Sequence, residues 1–153
     1  MSATAARPQM RRLRTGDAEV GLRSSGTPGP DVVLVHGIGA SSRYFEPLAH
    51  ELSRDHNVHL VELPGHAGME RPREALTMAG YGAAVAGALR QAGIADALLA
   101  GHSMGCQVVV EAALADPGVA ASMLRLAPTA TRAGRDAGAL SRPRAQDSIH
   151  EGR

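Results

Sequence analysis

The 153-residue chain contains no lysine and no tryptophan, and only one cysteine, one phenylalanine and two tyrosines. Each shortage excludes something. Without lysine there is no Gly-Lys-Ser/Thr phosphate loop. A single cysteine, Cys106, rules out an intrachain disulfide framework and fits a reducing compartment. With aromatics at 2% of residues, the core must be assembled from Ala, Val and Leu, through many short contacts. No apolar run reaches the length of a membrane span, and Met1 to Arg14 lacks the apolar stretch of a signal peptide. A soluble, cytoplasmic chain with no membrane partner is therefore expected. The net charge of +1 gives no general attraction to nucleic acid, so none is expected as a partner. All sixteen basic residues being arginine reads as coding bias rather than chemistry.

Small and β-branched residues in alternating blocks fill the rest of the chain. Residues 1–9 are read as a disordered N-terminus. Met10–Leu13 and Glu19–Leu22 are expected to form two short strands joined at Thr15-Gly16-Asp17, and Ser24–Pro30 to form a loop. Asp31–Val35 is a continuous apolar run, the pattern of a strand buried on both faces. A helix should follow, capped by Ser41 or Ser42, with Phe45, Leu48, Ala49 and Leu52 on one face. Val58–Leu63 reads as the next strand, and Tyr81, Val85, Ala88, Leu89 and Ala92 mark a second helix closed by Gly93. A strand at 97–100 leads to a third helix, with Val109, Val110, Ala113 and Leu114 on one side and Asp116-Pro117-Gly118 at its end. Ala121–Leu126 is a further strand. This alternation implies a parallel sheet with helices on both faces. From Thr129 the composition shifts to Ala, Arg, Gly and Ser, and only Ala145–Glu151 suggests a helical turn or two.

Between the strand at 97–100 and its helix lies Gly101-His102-Ser103-Met104-Gly105, a G-x-S-x-G pentapeptide. In a nucleophile elbow of this form, a strained turn presents a serine hydroxyl at the strand's C-terminal end. The positions two before and two after the serine come too close to their surroundings for side chains. The helix that follows aims its free N–H groups where negative charge develops during acyl transfer. Gly37-Ile38-Gly39 also follows a strand, but a dinucleotide fingerprint would need a third glycine at position 42, which is Ser42. His50, His56, His59 and His66 have no spacing that places several on one face beside an acid, so no metal is expected, and no cofactor is expected either.

Together, Val33-Leu34-Val35-His36-Gly37-Ile38-Gly39-Ala40-Ser41, Leu63-Pro64-Gly65-His66 and Gly101–Gly105 resemble the α/β-hydrolase superfamily. The resemblance is to its serine-nucleophile branch of esterases, haloperoxidases and carbon–carbon bond hydrolases. It implies a three-layer α/β/α fold with a mostly parallel sheet, incomplete at the C-terminal edge. Residues 10–128 would be the N-terminal part of the hydrolase core and 129–153 the start of a cap region or an irregular tail. By resemblance Ser103 is the nucleophile, the Met104 amide the first oxyanion donor, and the Ile38 amide the second, with Gly39 close by. His36 would shape that loop, His102 would point away from the serine, and Cys106 would fill the core.

A serine needs a base held by a carboxylate, and the family supplies these from later loops in the order Ser, acid, His. After Ser103 the chain offers Glu111, Asp116, Asp136, Asp147 and Glu151, with His150 the one histidine. Glu111 and Asp116 fall on or at the end of the nucleophile helix. Asp136 and His150 are in the right order but stand where the family has its cap. The chain thus carries nucleophile and oxyanion loop without an evident acid or base. Two functions stay open: a hydrolase for a small ester or similar acyl substrate, or a non-catalytic chain associating through the open sheet edge.

Overall fold

The computed structural model describes residues 8–129. The expectations for residues 1–7 and 130–153, including Asp136, Asp147, His150 and the helical turn at 145–151, fall outside that range.

Two strands, β1 (Arg11–Thr15) and β2 (Ala18–Gly26), form the hairpin anticipated at Thr15-Gly16-Asp17. Gly16 takes the left-handed conformation, φ +60°, at its turn. The apolar runs become β3 (Asp31–Val35), β4 (Asn57–Glu62), β5 (Ala97–His102) and β6 (Ala120–Leu126). The six strands make one sheet in the order β1-β2-β4-β3-β5-β6. Strands β4, β3, β5 and β6 are mutually parallel, and β2 joins them antiparallel through β4.

Alternate residues of the central strands feed two cores, as the two-residue period of a strand requires. Val33, Val35, Val61 and Leu99 face α2 (Met78–Gln91) and α3 (Gly105–Ala115). Val32, Leu34, Val58 and Leu60 pack with Phe45 and Ala49 of the α1 region (helix Glu46–Leu52). Phe45 is the one aromatic in the buried core, and the rest is aliphatic apart from Cys106 and Met69, as the composition demanded. Small side chains let the helices approach closely. A β-carbon on Gly82 of α2 would lie 2.7 Å from the Ala112 nitrogen of α3.

Four expectations are corrected. Ser24–Pro30 is not all loop: β2 runs to Gly26 because Ser24 and Ser25 pair with His59 and Val58 of β4, and ladder pairing overrides their turn propensity. Ser41 makes no side-chain cap; a 3-10 turn, Ser42–Phe45, intervenes before α1. On α1, Leu48 lies outside the core. On α3, the buried face is Val108, Val109 and Ala112, whereas Leu114 is 71% exposed. That helix is apolar nearly all round, so its period alone does not select a face.

Candidate active site

The parallel strands deliver their C-terminal ends to one edge, where the β3 loop and the β5–α3 turn meet. Ser103 sits at that turn with φ +56°, a left-handed conformation uncommon for a residue with a side chain. Its amide donates to the Leu126 carbonyl (3.0 Å), and its own carbonyl accepts from Cys106 in the first turn of α3 (3.0 Å). The flanking glycines are required by space. A β-carbon on Gly101 would come within 2.7 Å of the Cys106 nitrogen, and one on Gly105 would strike the Val35 and His36 carbonyls. Gly37 approaches the serine itself, since a β-carbon there would be 2.8 Å from the Ser103 β-carbon and 3.3 Å from its hydroxyl oxygen. The structure therefore brings the Gly37 loop and Ser103 into contact.

Past Gly37 the chain turns tightly, the Ala40 amide donating to the Gly37 carbonyl (3.3 Å) and Gly39 adopting φ +70°. Ile38 turns its side chain to solvent, 75% exposed. Among the described residues, the Ile38, Gly39 and Met104 amides have no hydrogen-bond partner.

Beneath this loop lies a buried polar pair that the sequence reading did not identify. His36 is fully buried, and its Nδ1 donates to the Gly37 carbonyl at 2.8 Å. Its Nε2 stands 2.8 Å from Glu62 Oε1 and 3.1 Å from the Leu63 amide, which donates to it. Glu62, 1% exposed, also accepts from the Ser42 amide at 3.1 Å. Burial pushes the Glu62 carboxyl up, but the hydrogen bonds from His36 and Ser42 outweigh it and hold the group below its ordinary range. The pair thus ties both ends of the loop, Gly37 and Ser42, to the end of β4. A signal was available: Glu62 is an acid between the apolar residues Leu60, Val61 and Leu63, and a buried charge must be paired. Nearby, Arg23 donates to Glu46 (3.0 Å) and to the Ser42 hydroxyl (2.6 Å), steadying the same turn from β2.

His102 packs its ring on Tyr44, with centroids 4.9 Å apart and planes at 27°. Cys106 is buried, its thiol donating to the Gly101 and Leu126 carbonyls. Asp116 lies at the far end of α3, held by Arg90 and accepting from the Gly118 amide. Eleven helical residues, about 16 Å of rise, separate it from the elbow. Among the described residues no histidine follows Ser103.

Comparison with known proteins identifies the family. A profile of the alpha/beta hydrolase family matches residues 32–151, and the chain belongs to that family. It is 31% identical over 116 residues to 2-(acetamidomethylene)succinate hydrolase of Mesorhizobium japonicum, covering 76% of this chain and 41% of that one. It is 40% identical over 89 residues to a pimeloyl-[acyl-carrier protein] methyl ester esterase of Shewanella sp. strain MR-7, covering 58% and 31%. Among solved structures, N-acyl homoserine lactonase AidH superposes with a TM-score of 0.72 at 25% identity, covering 78% of this chain and 45% of that one. The chain thus spans less than half the length of these relatives. No helix among the described residues is long and apolar enough to cross a membrane.

Proposed function

We infer that this chain carries the nucleophile and oxyanion half of a serine hydrolase acting on a small ester, lactone or similar acyl substrate. One observation supports the reading most directly: a left-handed Ser103 beside the Gly37 backbone, at the start of α3. In this reading the Ser103 hydroxyl attacks the acyl carbon, and the Met104 and Ile38 amides receive the developing oxyanion. Two such backbone donors in a water-poor site contribute about 3 kcal/mol or more of transition-state stabilisation. The reading is supported by relatives named as a 2-(acetamidomethylene)succinate hydrolase, a methyl ester esterase and an N-acyl homoserine lactonase.

A fluorophosphonate probe tests the assignment. The expected result is an adduct mapped to the Ser103 peptide and absent from Ser103→Ala. Absence of that adduct from the unaltered chain would favour the second reading, a non-catalytic chain associating through its sheet edge. The exposure of Met123 and Leu124 on β6 supports that alternative.

A further inference from the structure

At the opposite end of the sheet, three side chains form a hydrogen-bonded line that takes no part in the site above. Ser24 of β2 and His59 of β4 are direct ladder partners, and the Ser24 hydroxyl lies 2.7 Å from His59 Nδ1. His59 Nε2 lies 2.7 Å from Oδ1 of Asp31, the first residue of β3. Asn57, the first residue of β4, donates to the same Asp31 oxygen at 2.7 Å. The β3 strand and its loop run from Asp31 to Gly37 beside Ser103, so the two sites stand about 20 Å apart.

We propose that Ser24 is a second base-activated nucleophile, an acceptor for small activated acyl groups. The protons follow from the partners. The Asp31 carboxylate only accepts, so His59 Nε2 carries hydrogen, and in the neutral imidazole Nδ1 is left as the acceptor for the Ser24 O–H. That is the arrangement of nucleophile, base and orienting acid used in acyl transfer, with the two ring nitrogens exchanged. Burial is graded to suit it. His59 is 4% exposed and cannot reorient freely, Asp31 is half-buried, and Ser24 is open to solvent. Ser24 is the partner of the buried His59 Nδ1 among the described residues, so the ring nitrogen holds the exposed hydroxyl in line. In the step itself, the Ser24 Oγ–carbon bond forms and the bond to the leaving alcohol breaks. The serine proton passes to His59 Nδ1 and from there to the departing oxygen, and Asp31 stays ionised throughout.

The test uses the full chain with Ser103→Ala, so that failure of the hydrolase reading and of this one are separable. The protein is treated with p-nitrophenyl acetate and acetylation is located by tandem mass spectrometry. Ser24 is expected to acetylate about a hundredfold faster than Ser122, an exposed serine on β6 with no imidazole partner among the described residues. Adding Ser24→Ala should abolish that acetylation, and adding His59→Gln or Asp31→Asn should reduce it to the rate of Ser122. Equal rates at Ser24 and Ser122 would overturn the proposal without recourse to any further variant. So would Ser24 acetylation unchanged in a folded Asp31→Asn chain.

Discussion

Ser103 combines two demands that pull against one another. The hydroxyl must stand at the tip of the turn, and the backbone that presents it there has φ +56°. A residue with a β-carbon held in that region costs on the order of 1 kcal/mol or more relative to glycine. Two variants that both lack the hydroxyl separate strain from chemistry. Ser103→Gly is expected to exceed Ser103→Ala in stability by about 1 kcal/mol in urea unfolding, with neither labelled at position 103. Equal stabilities would mean that the turn relaxes when the serine is removed. At Gly105 the sign reverses. An added methyl would meet the Val35 and His36 carbonyls, which belong to the buried end of β3 and cannot recede. Gly105→Ala should therefore lose several-fold more stability than a surface substitution, and should displace the loop after β3 with it.

At the level of elements, the loop between β3 and α1 is held from below by the His36–Glu62 pair, in addition to its own Ala40–Gly37 hydrogen bond. The carboxyl of Glu62 lies below its ordinary value of 4.5 in the folded chain. A depressed carboxyl stabilises the fold above its unfolded value, and that contribution disappears as pH falls through the folded value. The unaltered protein should therefore exceed Glu62→Gln in stability at neutral pH, and the gap should close as pH drops below about 4.5. Urea midpoints for both proteins across that range read it directly, and a gap independent of pH would remove Glu62 as the titrating group. Glu19 and Asp116, also depressed, are common to both chains and cancel in the difference. This pair also marks where sequence reading stopped. Glycine positions, strand runs and the elbow were legible because each follows from local backbone geometry and chain order. The partners of His36 and His59 were not, since Glu62 lies 26 residues beyond the first and Asp31 28 residues before the second. Only the β4–β3 register brings them together. The buried face of α3 was illegible for a different reason. With Val110, Ala113 and Leu114 as apolar as the side that packs, nothing local distinguishes the two.

Among the described residues the sheet is lopsided. On the β1–β2 side the sheet ends in a hairpin with charged side chains, including an Arg12–Glu19 pair across it. On the other side, among the described residues, β6 pairs only with β5, and its interior residues are exposed on both faces. Met123 and Leu124 are successive, so they point to opposite faces, and both are about half exposed. An apolar edge strand with a free row of N–H and C=O groups is a template for another strand. If the edge takes a partner, as the second reading has it, a second copy would supply one by two-fold antiparallel pairing of β6 with β6. Sedimentation velocity should then show an average mass that rises with concentration. Leu124→Lys, which places a charge on the edge, should return the chain to a monomer without touching Ser103 or Ser24. A chain that stays monomeric at every concentration, and unfolds cooperatively in urea, would show instead that β6 is tolerated bare. In that case the sheet's two halves are unequal in exposure but not in stability, and the α2–α3 layer over β3 and β5 suffices to hold β6 in place.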